Sequence, residues 1–492
     1  MYPINKASKH IARAGFWRVC RARGIAFRLI ALAIGLLPLL MIESTLWVLD
    51  LPRAESRIEA IGEANGTRRL FVLNRATGRY EIAPDRLNLF RPDSFVAEKP
   101  ADLRRVFVLG GSTVQGRPYQ IETAFSTWLG LALQTCDPRH RWEVVNCGGV
   151  SYASYRVAAI LDEVLQYQPD AIILYIGHNE FLERQSFGQL QRLPDWLVPS
   201  LSAVERMRTF QLLRSQIFAD AALEPSTREL LTHNVDALLD NQGGLAEYHP
   251  DAPPRGAVEE AFADNLDAMI AYCRQRNVPV IVCCPARNLV DCPPFKSEPL
   301  VPLDDSDQRA FDAAMATATD EQAAAADRIA ALRAAQAIDP QNPSVAYRLG
   351  RLMLQAGEIE TARQQLTLAA DNDSCPLRIR SSMQSQIRAI AAQRQVPLLD
   401  VDRLMQSHSR NGLVGAKWMV DHVHPTVHGH QIIADALLEI LVDQRLTTSD
   451  VDCQSNREAA YADHLRSLDE SYFVRGQQRL EGLKQWAAGR AR

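Results

Sequence analysis

The stretch that decides the fold reads Val106-Phe107-Val108-Leu109-Gly110-Gly111-Ser112-Thr113-Val114-Gln115-Gly116. Its apolar run predicts a strand buried on both faces, and the two glycines predict a tight turn at the carboxyl end of that strand. The turn delivers the hydroxyl of Ser112, which becomes a good nucleophile only when a histidine takes its proton. Far along the chain, Asp421-His422-Val423-His424-Pro425 places a carboxylate three residues before an imidazole. Because a carboxylate fixes the tautomer of such a histidine, the two stretches together predict an enzyme.

Four more apolar runs alternate with helical patterns along the chain. The runs are residues 142–146, 171–176, 279–284 and 396–401, and the helical patterns lie near 123–135, 154–167, 258–276, 376–394 and 428–443. This alternation predicts a doubly wound α/β domain with a parallel sheet. Reactive groups of such sheets lie at the carboxyl ends of the strands. The segments that fall there are Ser112, the 148–151 loop, Asn179 and residues 421–424.

The amino terminus has the pattern of a membrane anchor. Residues 1–28 carry seven lysines or arginines and no acidic residue, and residues 29–49 are almost wholly apolar. About 20 apolar residues cross a bilayer as a helix, so this segment predicts a single uncleaved anchor. The basic flank favours a cytoplasmic amino terminus, which puts the rest of the chain on the extracytoplasmic side, the periplasm in a bacterium. A cleaved signal peptide is the alternative, but no small-x-small site follows the apolar core.

Composition limits the partners of this chain. The formal net charge of −4 gives no basic footprint, so we expect no nucleic-acid partner. The nine cysteines form no CxxC pair, and Cys136 and Cys147 could pair in an oxidising compartment. Four histidines lie within residues 422–430, but no acidic or cysteine cluster completes a coordination shell. We therefore expect neither a metal nor a cofactor.

These patterns divide the chain into segments. They are a basic tail (1–28), an anchor (29–49), a stalk with a short β lead-in (50–103), an α/β domain in two parts (104–285 and 376–445), a helical insertion (286–375) and a charged, helix-prone extension (446–492). Polar sequence with a proline-rich patch over residues 183–257 predicts a lid within the first part. Residues 70–73 and 79–82 of the lead-in predict two short strands.

The helical insertion resembles a tetratricopeptide repeat over residues 342–370. Gly350 stands where two helices would cross, Gly357 stands at the turn, and Ala362 and Leu366 follow on the second helix. About one and a half units are present, which cannot bury a solenoid core alone. A helical hairpin packed on the α/β domain and a groove that binds a protein partner both remain open.

Four short blocks at strand ends resemble the SGNH hydrolases, also called the GDSL esterase/lipase family. They are Gly110-Gly111-Ser112, the loop after Val144-Val145-Asn146, Gly177-His178-Asn179-Glu180 and Asp421-x-x-His424-Pro425. Residues 151–156 and 177–183 are similar to a bacterial, membrane-anchored branch of the family that carries tetratricopeptide-like repeats. The resemblance implies a three-layer, flavodoxin-like fold and hydrolysis of ester bonds.

The resemblance also implies a role for each residue of the triad. Ser112 would be the nucleophile, His424 the general base, and Asp421 the group that holds the imidazole. His178 could be a substrate contact or a loop residue that faces solvent.

The oxyanion hole would consist of the Ser112 N–H, a backbone N–H of the second block and the side-chain amide of Asn179. The second-block glycine of the family aligns with Ser151, which is the first candidate for this N–H, and Gly149, which lies just before it, is the second. The first-block aspartate of the family is replaced by Gly111, outside the triad.

The function that these expectations favour is a membrane-anchored serine esterase with an acyl-serine intermediate. Small acyl esters, such as acetyl groups on a polysaccharide, are the expected substrates. An acyltransferase that uses the same triad to load a sugar hydroxyl is a close variant. A membrane-tethered scaffold with a vestigial hydrolase fold is an alternative of another class.

Overall fold

The computed structural model of the protein describes residues 37–38, 40–49, 69–183, 208–209, 244–250, 254–448 and 453–487. The chain divides into two compact units, residues 1–56 with 193–227 and residues 57–192 with 228–492. The predicted basic tail, residues 50–68 of the predicted stalk and most of the predicted lid lie outside the described residues. The predicted strands and site residues all belong to the second unit.

A small antiparallel sheet leads into the second unit. It consists of β1 (Phe71–Asn74), β2 (Arg79–Ile82) and β3 (Ser94–Val96), paired in that order. The first two strands lie where the sequence predicts them, whereas the short β3 has no apolar run of its own. The carboxylate of Glu163 accepts the backbone N–H groups of Leu70 and Phe71 at 2.6 and 2.9 Å. These bonds attach the small sheet to the α/β domain.

Five parallel strands form the central sheet. They are β4 (Leu103–Gly110), β5 (Arg141–Gly148), β6 (Ala171–Tyr175), β7 (Val280–Cys284) and β8 (Leu398–Asp400), in the order β5-β4-β6-β7-β8. All five coincide with the predicted apolar runs, which confirms the predicted parallel sheet. Because β5 and β6 flank β4, the sheet has a flavodoxin-like strand order, and ligands of such sheets bind where the order reverses. The register pairs Gly110 with both Gly148 and Tyr175, so three strands end together there.

Helices cover both faces of this sheet. The α-helices in the described part of the second unit are α1 (Ser112–Gln115), α2 (Phe125–Cys136), α3 (Ser154–Val164), α4 (Arg255–Gln275), α5 (Asp305–Thr319), α6 (Ala325–Ile338), α7 (Pro343–Gln355), α8 (Ile359–Asp371), α9 (Ser381–Arg394), α10 (Val401–Ser407), α11 (Val427–Asp443), α12 (Cys453–Ser467) and α13 (Glu470–Ala487). Phe107 and Leu109 of β4 pack in a core with α3, α4 and α9. Val106 and Val108 pack in the opposite core with α2, α10 and α11. The layers are therefore helix, sheet and helix.

Four helices, α5 to α8, occupy residues 305–371 of the predicted helical insertion. In this helical region α7 and α8 approach closely, since a Cβ on Gly350 would lie 2.8 Å from Cγ of Leu366. Gly357 turns the chain between them with a φ of +85°. A shared apolar core joins α5, α6 and α7. The helical character is thus observed, while a tetratricopeptide repeat and a partner groove stay predictions.

The carboxyl-terminal helices return to the α/β domain. Cys453 at the start of α12 forms a disulfide with Cys136 at the end of α2, 317 residues earlier. The pairing of Cys136 with Cys147 considered from the sequence is wrong. Cys136 lies in one core and Cys147 in the other, so the sheet separates the two thiols. Cys147 is a buried free thiol.

Little of the first unit is described. Residues 40–48 are helical, and the carboxylate of Glu43 accepts the backbone N–H groups of Arg208 and Thr209 at 2.7 and 2.9 Å. Within the described ranges, no helix combines the length and the apolar character that a bilayer crossing requires. Residues 29–36 and 39 lie outside those ranges, so the anchor predicted over 29–49 stays a prediction.

Candidate active site

Ser112 lies at the carboxyl end of β4, where the strand order reverses. Gly111 has extended backbone angles and precedes α1, whose first residue is Ser112. The N–H of Ser112 donates no hydrogen bond to any described residue. The amide of this serine therefore remains available to a ligand.

The loop at residues 420–424 is held in a fixed shape by its own hydrogen bonds. One carboxylate oxygen of Asp421 accepts the backbone N–H groups of Val423 and His424 at 2.9 and 2.8 Å. The N–H of Val420 donates to the carbonyl of His424 at 2.9 Å. The side-chain amide of Asn288 donates to the Asp421 carbonyl at 3.0 Å. These bonds orient the carboxylate before any substrate arrives.

The structure brings Ser112, His424 and Asp421 together as one hydrogen-bonded chain. The Ser112 Oγ and the His424 Nε2 are 2.8 Å apart, and the His424 Nδ1 and the Asp421 Oδ2 are 2.6 Å apart. His424 and Asp421 are buried, while Ser112 is partly exposed. A nucleophile, a base and an orienting carboxylate at these distances can carry out nucleophilic catalysis.

The charge on Asp421 determines which nitrogen of His424 carries the proton. Burial alone would raise the pKa of Asp421, but the imidazoles of His424 and His422 and the hydrogen bonds from His424 hold it below its usual range. An ionised carboxylate only accepts hydrogen bonds, so Nδ1 of His424 must donate to it. Nε2 is then free to accept the Ser112 proton. The pair is set up for general-base catalysis.

The amide of Asn179 follows β6 and lies against Gly111. Its Nδ2 donates to the carbonyl of Tyr152 at 3.0 Å, and since an amide nitrogen has two protons, one remains for a ligand. A Cβ on Gly111 would lie 2.4 Å from this nitrogen. The glycine that replaces the family aspartate therefore creates the space that the amide of Asn179 occupies.

The backbone of the 148–151 loop distinguishes Ser151 from Gly149. The N–H of Gly149 is used in a bond to the carbonyl of Gly110 at 3.0 Å, and that of Val150 in a bond to Leu89 at 2.9 Å. The Ser151 N–H has no partner among the described residues, and Ser151 has a φ of 61°, which is uncommon for a residue with a side chain. The sequence left both residues open, and hydrogen bonding favours Ser151 as the second backbone donor.

Two further histidines next to the triad are neutral. Burial lowers the pKa of His422 to about 4, although the charge of Asp421 opposes this. Burial also lowers the pKa of His178 well below its usual range, and its Nδ1 accepts the N–H of Ile379 at 3.2 Å. His178 is thus a buried residue and not a loop residue that faces solvent.

The remaining histidines of residues 422–430 have packing roles. His430 Nδ1 accepts the N–H of Phe125 at 3.2 Å, and His428 stacks on the buried Trp418. Over the described ranges, no group of three His, Cys, Asp or Glu side chains is arranged to hold a metal ion.

Sequence reasoning missed one group of charged side chains near Ser112, formed by Arg91, Arg117 and Arg479. Arg117 follows α1 directly, which is a weak signal, but Arg479 lies on α13 at the far end of the chain. The three side chains come together because α13 packs next to the loop after α1. No local sequence pattern predicts this packing.

Together, the parallel sheet and the triad define a serine hydrolase of the α/β class. Residues 108–350 match the GDSL-like lipase/acylhydrolase family. No curated protein matches the chain. The matched range ends before Asp421 and His424, which the structure nevertheless places beside Ser112.

Several solved structures are similar to this chain at low identity. An acetyl xylan esterase, AlAXEase, is 13% identical with a TM-score of 0.31, and the match covers 68% of this chain and 99% of that one. A lipase/acylhydrolase from Enterococcus faecalis is 10% identical with a TM-score of 0.30 and coverages of 69% and 96%. An acetylxylan esterase from Geobacillus stearothermophilus is 13% identical with a TM-score of 0.30 and coverages of 70% and 95%.

The chain belongs to the SGNH family, the GDSL-like lipases and acylhydrolases, as the four sequence blocks indicate. It is accordingly a hydrolase that acts on ester bonds.

Proposed function

We propose that this chain is a serine esterase that works through an acyl-Ser112 intermediate. The observation that carries the proposal is the continuous hydrogen-bonded chain from Ser112 through His424 to Asp421. A hydrolase fold without activity would need neither the Ser112–His424 contact, nor the His424–Asp421 contact, nor an unpaired Ser112 amide. The geometry therefore favours an esterase over a membrane-tethered scaffold.

The reaction follows from the positions of these groups. The Ser112 Oγ attacks the ester carbonyl while His424 Nε2 takes its proton, and the same nitrogen then protonates the departing alcohol. Water repeats the sequence on the acyl-serine and releases the acid. Asp421 stays ionised throughout, because its low pKa keeps it a hydrogen-bond acceptor for Nδ1 of His424.

Three hydrogen-bond donors that have no acceptor among the described residues are proposed to bind the developing oxyanion. They are the N–H of Ser112, the N–H of Ser151 and the second proton of the Asn179 amide. A donor aimed at the oxyanion contributes roughly 3 kcal/mol to the stability of the transition state. Three preorganised donors thus account for a large part of the rate enhancement.

The proposed substrate is a small acyl ester, such as an acetyl group on a carbohydrate. We further propose that residues 29–49 anchor the protein and that the α/β domain faces an extracytoplasmic compartment. The basic flank at residues 1–28 supports this orientation. The disulfide between Cys136 and Cys453 also supports it, since structural disulfides persist in oxidising compartments.

Labelling with a fluorophosphonate tests the catalytic part of this proposal, because the reagent modifies an activated serine and needs no natural substrate. The full-length chain in detergent should label and should hydrolyse 4-nitrophenyl acetate. Ser112→Ala and His424→Ala should do neither. Equal hydrolysis by the wild type and Ser112→Ala would refute the esterase and favour the scaffold.

A further inference from the structure

Three arginine side chains from separate parts of the chain form a cluster, here called the arginine cluster: Arg91, Arg117 and Arg479. Arg91 precedes β3, Arg117 follows α1, and Arg479 lies on α13. Each of the three residues is only partly exposed. Within the described residues, none of the three forms an ion pair with a carboxylate, although Glu122 and Asp421 lie within electrostatic range.

The arginine cluster borders the catalytic serine through the backbone. The N–H of Arg117 donates to the carbonyl of Ser112 at 3.1 Å. The Nε of Arg479 donates to the carbonyl of Pro118 at 2.7 Å, which holds α13 against the loop after α1. On the other side, the segment before Arg91 contacts the oxyanion loop, since Leu89 accepts the N–H of Val150 at 2.9 Å. The segments that carry the three arginines therefore lie next to the segments of Ser112 and Ser151.

Like charges held this close are unfavourable without a counter-charge. Burial, together with the charges of Arg91 and Arg479, lowers the pKa of Arg117 to about 10, against the opposing effect of Asp421. A buried nitrogen in each of the three side chains lacks a hydrogen-bond partner in the described structure. Each guanidinium group therefore retains a donor that no described protein group accepts.

A structural arginine elsewhere in the molecule shows the contrast. Arg105 is also buried, but its three nitrogens donate to the carboxylate of Glu143 and the carbonyls of Tyr167 and Val96 at 2.7–2.9 Å. Its charge is neutralised and its donors are used within the fold. Apart from the bond from Arg479 to the Pro118 carbonyl, the arginine cluster has no such partners among the described residues, so an external acceptor is the missing component.

We propose that the arginine cluster binds an anionic group, a carboxylate or a phosphate, carried by the ester substrate. This inference rests on the proposed esterase function and extends it to a substrate class. Guanidinium groups bind such oxyanions through paired, charge-assisted hydrogen bonds. The anion would then hold the substrate with its ester bond over Ser112.

Matched acetyl esters test this proposal. The probes are the acetyl esters of meta-hydroxybenzoate, of meta-hydroxyphenyl phosphate and of the neutral methyl meta-hydroxybenzoate, and the measurement is kcat/KM for acetate release by the full-length chain. The wild type should favour one or both anionic esters, and the better of the two identifies carboxylate or phosphate. Arg117→Gln and Arg91→Gln should each lower the ratio of anionic to neutral kcat/KM about 10-fold.

The matched control is Arg348→Gln, which removes an exposed arginine of α7 outside the arginine cluster. This variant should keep the wild-type ratio. A ratio that is the same in the wild type, Arg117→Gln and Arg91→Gln would overturn the anion site. Serine-dependent acetate release combined with that result would leave the esterase function intact.

A binding measurement separates the two proposals when turnover fails. Ser112→Ala is titrated calorimetrically with inorganic phosphate and with benzoate, and the same titration is made on the double variants that add Arg117→Gln or Arg348→Gln. Addition of Arg117→Gln should weaken binding at least 10-fold, whereas Arg348→Gln should not change it. Equal affinities, or no binding by Ser112→Ala, would refute the site whether or not the chain is an esterase.

Discussion

The carboxyl edge of the central sheet and the helical region at residues 305–371 are built from different kinds of contact. At the sheet edge, Ser112 and His424 meet across 312 residues of sequence. In the helical region, neighbouring helices pair with each other, and most of the surface of α5 is exposed. From this difference we infer that the reactive side chains lie where distant segments of the chain converge, whereas the helical region contributes local stability. Substitutions at the edge should change rates, and substitutions in the helices should change the free energy of unfolding.

The largest expected effect is that of Asp421→Asn. An amide can donate to Nδ1 of His424, which would move the proton to Nε2 and prevent that nitrogen from accepting the Ser112 proton. We expect kcat for 4-nitrophenyl acetate to fall about 10⁴-fold, with the His424→Ala variant as the reference for full loss. A fall of less than about tenfold would mean that Asp421 does not orient the base.

Asn179→Ala should have the next largest effect. It removes the side-chain donor of the oxyanion hole, so kcat should fall about 100-fold with little change in KM. The matched control is Asn372→Ala, which changes an asparagine at the end of α8 in the helical region. A change in KM alone would indicate substrate binding in place of oxyanion stabilisation.

Glu180 should make the stability of the sheet edge depend on pH. Burial raises the pKa of this carboxyl from 4.5 to about 7, despite hydrogen bonds from the N–H and hydroxyl of Ser154. The native state then binds more protons than the unfolded state between these two values, so the free energy of unfolding should fall as pH rises from 4.5 to about 7.

The shift corresponds to about 3 kcal/mol over this pH range. Denaturant unfolding of the wild type and of Glu180→Gln at several pH values measures this change in the free energy of unfolding. Taking the difference between the two proteins cancels the contributions of the other titrating groups. Parallel curves for the two proteins would show that Glu180 is already ionised in the native state at pH 5.

Gly350→Ala tests the helical region. The added methyl would meet Leu366 of α8 at 2.8 Å, so the helices must separate and the free energy of unfolding should fall by about 1–2 kcal/mol. Gly256→Ala in α4 is the control, because nothing lies within 4 Å of its added methyl. Neither variant should change kcat in the folded state. A loss of activity with Gly350→Ala at full folding would contradict the separation of the two regions.

The smallest effect is expected for Gly111→Ala. The methyl would displace the flexible amide of Asn179 and leave the backbone in place, so stability should be nearly unchanged. We expect kcat to fall by about fivefold, close to 1 kcal/mol in transition-state stabilisation. In the Asn179→Ala background the same substitution should have no further effect on kcat, which is the mark of a shared mechanism.

Much of the fold could be predicted because its signals are local. The five strands coincide with the apolar runs since a strand covered on both faces must be apolar at successive positions. The triad could be predicted because Ser112 lies in a short block at the end of β4, and Asp421 and His424 lie three residues apart in a second block. The pairing of Cys136 with Cys453 could not be predicted, because it depends on which face of the sheet each thiol occupies.

By itself, the sequence determined the alternation of strands and helices, the family and the identities of Ser112, Asn179, Asp421 and His424. The alternation follows from residue type and spacing, and the family and the site residues follow from the resemblance of four short blocks to that family. Only the tertiary structure decided that the N–H of Ser151 is the unpaired one in its loop and that the segments that carry the arginine cluster lie next to the segment of Ser112. The physical reason is that hydrogen-bond satisfaction and charge pairing are properties of groups in space, which are contributed by segments that no local pattern connects.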